Sequence, residues 1–485
     1  MKKIYLILML SCVTCSLLAQ TTITVKLSPA LKGPYTGRLF VYTLADTNKR
    51  FNGELNDNEA AFALNVTGWT NDKPAVIDQS AEYFNTRIDS LKEGYYRIAA
   101  LLDTNTKERS TLSPGNVYAR KEAILHITPG AKNHAELTID NTIRERPFPE
   151  RPDIKEIVFR SALLTAFRKE NIYIKAGIIL PPSYGKDSSA TYPVIYIIPG
   201  WTGTHRGALA PLSQNAYGVG QGKEKIVIFL NPETQTPYGL HALVDSRVNG
   251  PWGKALVEEF IPYIQNNYHG STKPSNTFVT GQSSGGYGAA WLMIHYPDAF
   301  GGCWATSPDP VDFSNYLGVD LYKDQNFYTD KNGKEREFFK LNGIYQTTLR
   351  KGEIKELFEG DGGQQQSFEA EFGKPDKNGR PKPLFDRKTG LIDRKVVAEW
   401  KDYDLAQYVV KNWPKLKPKL AGKLRIYAGD NDNFFLDKSV MAFDNKVKSI
   451  SADIKVIIVP GADHFSVRVP ALGTSMQKEM DELIR

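Results

Sequence analysis

Residues 277–290 read Thr277-Phe278-Val279-Thr280-Gly281-Gln282-Ser283-Ser284-Gly285-Gly286-Tyr287-Gly288-Ala289-Ala290. The first four residues predict a β-strand, and the small residues at the end predict a helix. Between them Ser283 lies in a Gly-x-Ser-x-Gly frame, whose glycines permit a sharp strand-to-helix turn that holds the serine above a sheet edge. The pattern predicts Ser283 as a nucleophile. A frame shifted to Ser284, or a simple Gly/Ser turn, remains an alternative.

A nucleophilic serine needs a base, and in folds with this kind of turn the partners follow in the order serine, acid, histidine. Only two of the seven histidines, His295 and His464, come after Ser283. His295 ends the predicted helix, roughly 18 Å along it, so it is better explained as a helix-terminal residue. His464 follows the apolar run 454–459, at the carboxyl end of the last predicted strand. We therefore predict His464 as the base.

The acid is expected after the preceding predicted strand, Leu424–Ala428. Asp430 and Asp432 both lie there, in Gly429-Asp430-Asn431-Asp432-Asn433. The acid must point inward to orient the imidazole, and Asp432 is preferred to Asp430. An Asx-rich turn is the simpler interpretation, and a calcium loop lacks the EF-hand spacing and glycine.

The oxyanion of a tetrahedral intermediate needs backbone N–H donors. We predict the N–H of Ser284, which follows the nucleophile, and that of Trp201, in the loop after the apolar run 193–198. The substrate-binding candidates are His205, Trp252 and Tyr287. A surface position for His205 and a packing role for Trp252 are equally compatible with the sequence.

Apolar strand candidates alternate with helix candidates from about residue 154 onward, and the strands are apolar on both faces. That pattern predicts a doubly wound α/β domain over 154–485 with a mostly parallel sheet. Residues 313 to about 415 interrupt it with a polar, aromatic segment that predicts either a functional insertion or a solvated surface excursion.

The front of the chain differs. Residues 21–142 show short alternating runs separated by turn residues and predict a smaller all-β sandwich, and the proline-rich residues 143–153 predict a linker. Residues 1–20 resemble a signal peptide, so we expect export to the periplasm or beyond. Lipidation at Cys12 is the lesser alternative. Cys303, in an apolar run, is expected to be a buried thiol.

Composition excludes several classes. The formal charge is +7, but no Lys/Arg block resembles a nucleic-acid-binding arm. No segment beyond the first twenty residues is long and apolar enough to predict stable membrane insertion. We expect no nucleic-acid partner, and the oligomeric state stays open.

The chain resembles the esterase D / putative esterase family over about residues 155–310 and 420–485. The resemblance is carried by the run 192–200, the segment 258–264, the elbow 281–290, Gly429-x-x-Asp432-x-Phe434 and His464. It implies an α/β-hydrolase fold, the triad Ser283, Asp432 and His464, and no cofactor or metal. Two features depart from the family pattern: Pro199-Gly200 replaces the usual His-Gly, and the long stretch after Asp312 is not general.

Together these features predict a secreted serine carboxylic ester hydrolase that works through an acyl-enzyme. A small-molecule or glycan ester is the expected substrate, such as an acyl or feruloyl ester of a carbohydrate. An acyltransferase with the same triad, or a glycan-binding surface protein with a relic hydrolase domain, are the alternatives.

Overall fold

The computed structural model describes residues 20–485, and the chain divides into two compact units. The front unit ends at Glu145, except that Thr106–Arg109 belongs to the second unit, which otherwise comprises Arg146–Arg485. The second unit is called the catalytic unit because it contains the predicted triad Ser283, Asp432 and His464. The predicted signal peptide and Cys12 lie outside the described residues, apart from Gln20, so export stays a prediction.

The front unit is built from short strands. They are β1 (Thr21–Leu27), β2 (Tyr35–Leu44), β3 (Ala61–Trp69), β4 (Ala75–Ile77), β5 (Glu82–Phe84), β6 (Gly94–Asp103), β7 (Val117–Tyr118), β8 (Ala123–Ile127), β9 (Asn133–Ile139) and β10 (Asn141–Thr142). One sheet has the order β4-β1-β9, and the other β10-β7-β6-β2-β3-β5 with β8 paired to β6. Both sheets contribute to one apolar core, for example through Val25, Val41 and Leu102. The predicted β-rich front region is confirmed.

The catalytic unit combines strands and helices. Its strands are β11 (Ile154–Ser161), β12 (Ile172–Ile179), β13 (Val194–Ile198), β14 (Ile226–Leu230), β15 (Asp245–Ser246), β16 (Gly250–Pro251), β17 (Thr277–Gln282), β18 (Gly302–Thr306), β19 (Glu337–Leu341), β20 (Ile344–Thr348), β21 (Leu424–Gly429) and β22 (Lys455–Val459). Its helices are α1 (Ala162–Arg168), α2 (Pro211–Ala216), α3 (Trp252–Ala255), α4 (Ile261–Tyr268), α5 (Ser284–His295), α6 (Leu349–Glu359), α7 (Gln364–Phe372), α8 (Arg394–Trp400), α9 (Leu405–Leu420), α10 (Leu436–Ser449) and α11 (Pro470–Leu483). A π-helical turn, Leu256–Phe260, joins α3 to α4.

One eight-stranded sheet organises this unit, in the order β11-β12-β14-β13-β17-β18-β21-β22. Strand β12 runs antiparallel to both of its neighbours, β11 and β14. The remaining strands of this sheet, β14, β13, β17, β18, β21 and β22, are mutually parallel. The predicted α/β-hydrolase architecture is confirmed. Parallel strands end at a common edge, so the loops after β13, β17, β18, β21 and β22 meet there, and such an edge is where open α/β sheets bind ligands.

The long segment after β18 is not a solvated excursion. It forms the hairpin β19–β20 and helices α6, α7 and α8 around a buried aromatic cluster. The cluster includes Phe313, Tyr316, Phe327, Phe368, Phe372 and Trp400. This insertion ends near residue 404 rather than 415, because α9 packs against α5 and α10 as part of the main fold.

The proline-rich segment is anchored to the catalytic unit. Arg206 donates hydrogen bonds to the carbonyl oxygens of Arg146 and Pro147, at 3.1 and 3.0 Å, and Phe148 is buried. From Arg146 onward the predicted linker is therefore held in place. Within residues 20–485, no helix combines the length and apolarity that a membrane crossing requires.

Candidate active site

Ser283 lies in a strained turn between β17 and α5. Its backbone has φ 58° and ψ −124°, a conformation that L-residues rarely adopt. The Ser283 N–H donates to the carbonyl of Thr306 at 3.0 Å, which fixes the turn on the neighbouring strand. A Cβ on Gly285 would lie 1.9 Å from the carbonyl oxygen of Ile198, so the close approach of α5 to the sheet requires glycine there.

Asp432 and His464 form a buried hydrogen-bonded pair. His464 Nδ1 lies 2.9 Å from Asp432 Oδ2, and the two side chains are 5% and 0% exposed. The other oxygen of Asp432 accepts the N–H groups of Phe434 and Leu436, at 2.9 and 3.3 Å. This arrangement leaves His464 Nε2 for the reacting serine.

The other acid candidate, Asp430, does not face the histidine. It is exposed, and its carboxylate accepts the N–H of Gly461 at 2.8 Å. The structure thus places Asp432 in the position of an orienting acid and Asp430 in a turn.

Asn433 holds the histidine loop. Its side-chain oxygen accepts the N–H of His464 at 3.0 Å, and its side-chain nitrogen donates to the carbonyl of Lys340 at 2.8 Å. The N–H of Lys340, in β19, donates back to the carbonyl of Asn433 at 3.0 Å. The insertion hairpin is therefore bonded directly to the Asp432 loop, which in turn holds the His464 loop through Asn433.

The hydroxyl of Ser283 donates to Asp309 Oδ1 at 3.3 Å, and within the described residues no hydrogen bond joins it to His464. Catalytic hydrogen bonds are often long or misaligned before substrate binds. Asp309 follows β18 and is 3% exposed. Burial raises its pKa to about 6, and the nearby Ser284 hydroxyl and His464 oppose the rise. Asp309 was not predicted as a site residue, because no motif in the sequence marks it.

The predicted oxyanion donors lie beside the nucleophile. Ser284 is the first residue of α5, so its N–H has no acceptor in a preceding turn. The N–H of Trp201 makes no hydrogen bond within residues 20–485. A Cβ on Gly200 would lie 3.2 Å from Ser283 Cβ, which shows how closely the Trp201 loop approaches the serine.

Ser283 and His464 line one cavity of about 870 Å³. The main fold contributes Trp201, Tyr217, Phe434 and Phe465, among others. The insertion contributes the remaining wall through Leu317, Phe327, Phe338, Leu349, Glu353, Glu356, Gln365 and Phe368. The segment after β18 therefore encloses the space in front of the serine. The described residues contain no group of three or more side chains suited to holding a metal ion.

The three substrate-binding candidates do not line this cavity. Trp252 is 1% exposed, stacks on His241 and donates its indole N–H to the Asn249 carbonyl. The hydroxyl of Tyr287, on buried α5, donates to the carbonyl of Tyr403. These predictions were wrong, because both aromatic side chains pack into the core.

His205 was also wrongly predicted to bind substrate, and it is not a surface residue. It is 6% exposed, and its Nε2 lies 2.8 Å from Glu156 Oε1. Its ring stacks on Phe148. Burial lowers its pKa, and Glu156 opposes that effect. His295 ends α5 and packs between Trp291 and Tyr408, away from the cavity.

A family model described as "Putative esterase" matches residues 171–465, more than half of the chain, including the elbow, the Asp432 loop and His464. The uncharacterized protein YbbA of Bacillus subtilis (strain 168) is 27% identical over 133 residues, 26% of this chain and 52% of that protein. The chain thus matches about half the length of this curated relative.

Solved structures with a similar fold include a ferulic acid esterase, 15% identical, with a TM-score of 0.42, over 68% of this chain and 98% of that one. An S-formylglutathione hydrolase from Agrobacterium tumefaciens is 15% identical, with a TM-score of 0.41, over 68% of this chain and 95% of that one.

Proposed function

We propose that this chain, which belongs to the putative esterase family, hydrolyses carboxylic esters through an acyl-enzyme on Ser283. The observation that carries the proposal is the buried 2.9 Å bond from Asp432 to His464, which lines the same cavity as Ser283.

In the first half-reaction, Ser283 Oγ attacks the ester carbonyl carbon while His464 Nε2 takes its proton. Asp432 holds the ring at Nδ1 and stabilises the imidazolium that forms. The oxyanion accepts the N–H groups of Trp201 and Ser284. When the intermediate collapses, the bond to the alcohol oxygen breaks and His464 returns the proton to that oxygen.

In the second half-reaction, water attacks the acyl-Ser283 carbonyl and gives a proton to His464. Collapse of this intermediate releases the carboxylic acid and returns the proton to Ser283 Oγ, so the enzyme is regenerated. No cofactor is needed for either step.

The cavity supports a bulky acyl or alcohol part. About 870 Å³ lies at the upper end of the range for small-molecule pockets. Phe327, Phe338 and Phe368 of the insertion and Phe434 and Phe465 of the main fold give it aromatic walls, which suit an aromatic acyl group such as feruloyl. We propose an acyl or feruloyl ester of a carbohydrate-type alcohol as the substrate class.

The reaction is tested by turnover of p-nitrophenyl acetate by wild type and Ser283→Ala, and the substrate class by a panel of feruloyl and acetyl sugar esters. We expect Ser283→Ala to reduce kcat by at least about a thousandfold. Ser275→Ala, at the opposite end of β17, is the matched control and should behave as wild type. Full turnover by Ser283→Ala would refute the mechanism, whereas turnover of p-nitrophenyl acetate alone would refute the substrate class.

A further inference from the structure

Arg109 belongs to the catalytic unit although the residues on both sides of Thr106–Arg109 belong to the front unit. Its side chain is 9% exposed. The guanidinium donates from Nε to Glu233 Oε1 at 2.9 Å, and Nη2 lies 2.9 Å from the same oxygen. Glu233 follows β14, so this ion pair attaches Arg109 to the edge of the sheet where the active site lies.

The second contact of Arg109 is with the side chain of Trp201. Its guanidinium carbon lies 4.6 Å from the centroid of the Trp201 ring. A cation over an indole face is the most favourable cation–π geometry, and its strength grows as solvent is excluded. Arg109 is fixed by Glu233 and largely buried, so the contact holds the indole from a rigid support.

Trp201 lies in a loop with few bonds of its own, and its ring packs against the apolar core in addition to the Arg109 contact. It lies between Gly200 and Thr202-Gly203 outside any strand or helix. Glycine has the largest backbone freedom of any residue, so a loop containing two of them loses much entropy when it is fixed. The one described backbone bond within the turn runs from Gly203 N–H to the Gly200 carbonyl, and it does not involve Trp201.

We propose that Arg109 is a positioning residue of the oxyanion hole: by clamping the Trp201 ring, it fixes the direction of the Trp201 N–H. The inference rests on the proposed acyl-enzyme mechanism, in which that N–H receives the oxyanion. Because the donor acts on charge that develops in the transition state, loss of its alignment lowers kcat and leaves ground-state binding nearly unchanged.

A purely structural ion pair makes a different prediction. In that case Arg109→Ala lowers the stability of the protein and leaves kcat unchanged. Arg350 offers a matched control, because it also lies over an aromatic ring, Tyr328, at 4.4 Å. It also pairs with a glutamate, Glu335, at 2.8 Å, and no ion pair, hydrogen bond or ring contact joins it to Trp201 within the part of the chain that the structure describes.

The test measures kcat and KM for p-nitrophenyl acetate in the full-length wild type, Arg109→Ala, Arg109→Lys and Arg350→Ala proteins. Misplacement of a catalytic group by about 1 Å can cost on the order of a hundredfold. We expect Arg109→Ala to lower kcat by roughly ten- to a hundredfold with KM changed less than about threefold. Arg109→Lys keeps a cation and should recover part of kcat, and Arg350→Ala should retain it.

The rate of labelling by a fluorophosphonate provides a second readout, because its phosphonyl oxygen also occupies the oxyanion hole. It should fall with kcat in Arg109→Ala. If Arg109→Ala does not fold, Trp201→Leu removes the ring and keeps the N–H, and it should show the same loss of kcat. Wild-type kcat in a folded Arg109→Ala or in Trp201→Leu overturns the inference, while continued loss of activity in Ser283→Ala leaves the mechanism standing.

Discussion

Asp309→Asn is expected to stabilise the protein in a pH-dependent way. Asp309 is 3% exposed, accepts one hydrogen bond from Ser283, and has no hydrogen-bond partner for its second oxygen within the described residues. A carboxyl group in such surroundings is costly to ionise. Asparagine has almost the same shape, can still accept from Ser283 Oγ, and carries no charge.

The magnitude follows from the pKa. Burial raises the pKa of Asp309 from 3.8 to about 6, and one pKa unit corresponds to about 1.4 kcal/mol. Between pH 4 and 6 the folded protein holds a proton that the unfolded chain has lost, so stability falls as pH rises through this window. Above pH 6 the full penalty is about 3 kcal/mol, and at pH 4 it is below about 1 kcal/mol.

Urea unfolding of the full-length protein, followed by tryptophan fluorescence at pH 8 and pH 4, measures this effect. Six of the seven tryptophans lie at or after Trp201, so the signal reports mainly on the catalytic unit. The gain in unfolding free energy from Asp309→Asn should be roughly 2 kcal/mol larger at pH 8 than at pH 4. Any change in hydrogen bonding cancels in this difference. Asp430→Asn, at an exposed carboxylate of the same sheet edge, is the control. Equal gains at both pH values for Asp309→Asn would show that burial does not raise the pKa of Asp309.

Three further predictions concern the catalytic loops and the thiol. Asp432→Asn should lower kcat for p-nitrophenyl acetate by up to about 10⁴-fold, because it removes the carboxylate that orients the histidine. Asp430→Asn should leave kcat unchanged, and equal losses in the two variants would contradict the assignment of Asp432 as the orienting acid. Asn433→Ala removes the acceptor of the His464 N–H and the donor to the Lys340 carbonyl of the hairpin. We therefore expect kcat to fall roughly tenfold with KM nearly constant, and an unchanged kcat would show that Asn433 does not position His464. Burial raises the pKa of the Cys303 thiol far above its usual value. N-ethylmaleimide should therefore modify Cys303 only in urea, as detected by mass spectrometry.

Local patterns made the central features predictable. The Gly-x-Ser-x-Gly frame predicts the elbow because the strand before it and the helix after it are both visible in the sequence. Asp432 and His464 follow apolar strands in the chain order that this fold requires. Of these two strands, β21 is buried along its whole length, and β22 is a short run of apolar residues at the edge of the sheet.

Long-range contacts were not predictable from these patterns. Asp309 follows β18, which was not predicted as a strand, although the apolar run around Cys303 was a usable signal for one. Arg109 lies more than ninety residues before Trp201, and no local pattern connects them. Residue type alone did not separate a buried Trp252 from a cavity-lining Trp201, because burial of an aromatic side chain depends on the packing around it.

The insertion shows the same limit. Its charged residues suggested a solvated segment as readily as a functional one. In the structure its aromatic residues form a buried cluster, and its charged residues include Glu353, which lies 2.8 Å from Arg387. The ion pair partners are 34 residues apart, so only the folded chain shows why Glu353 is tolerated in the cavity wall.

Whether Ser283 is a nucleophile activated by His464 is tested by the site of covalent labelling by a fluorophosphonate, located by mass spectrometry of proteolytic peptides. Such a probe reacts with a serine activated by a neighbouring base. We expect one adduct, on Ser283, in the wild-type protein, and none in His464→Ala over the same time. An adduct on Ser284, or undiminished labelling of His464→Ala, would contradict it.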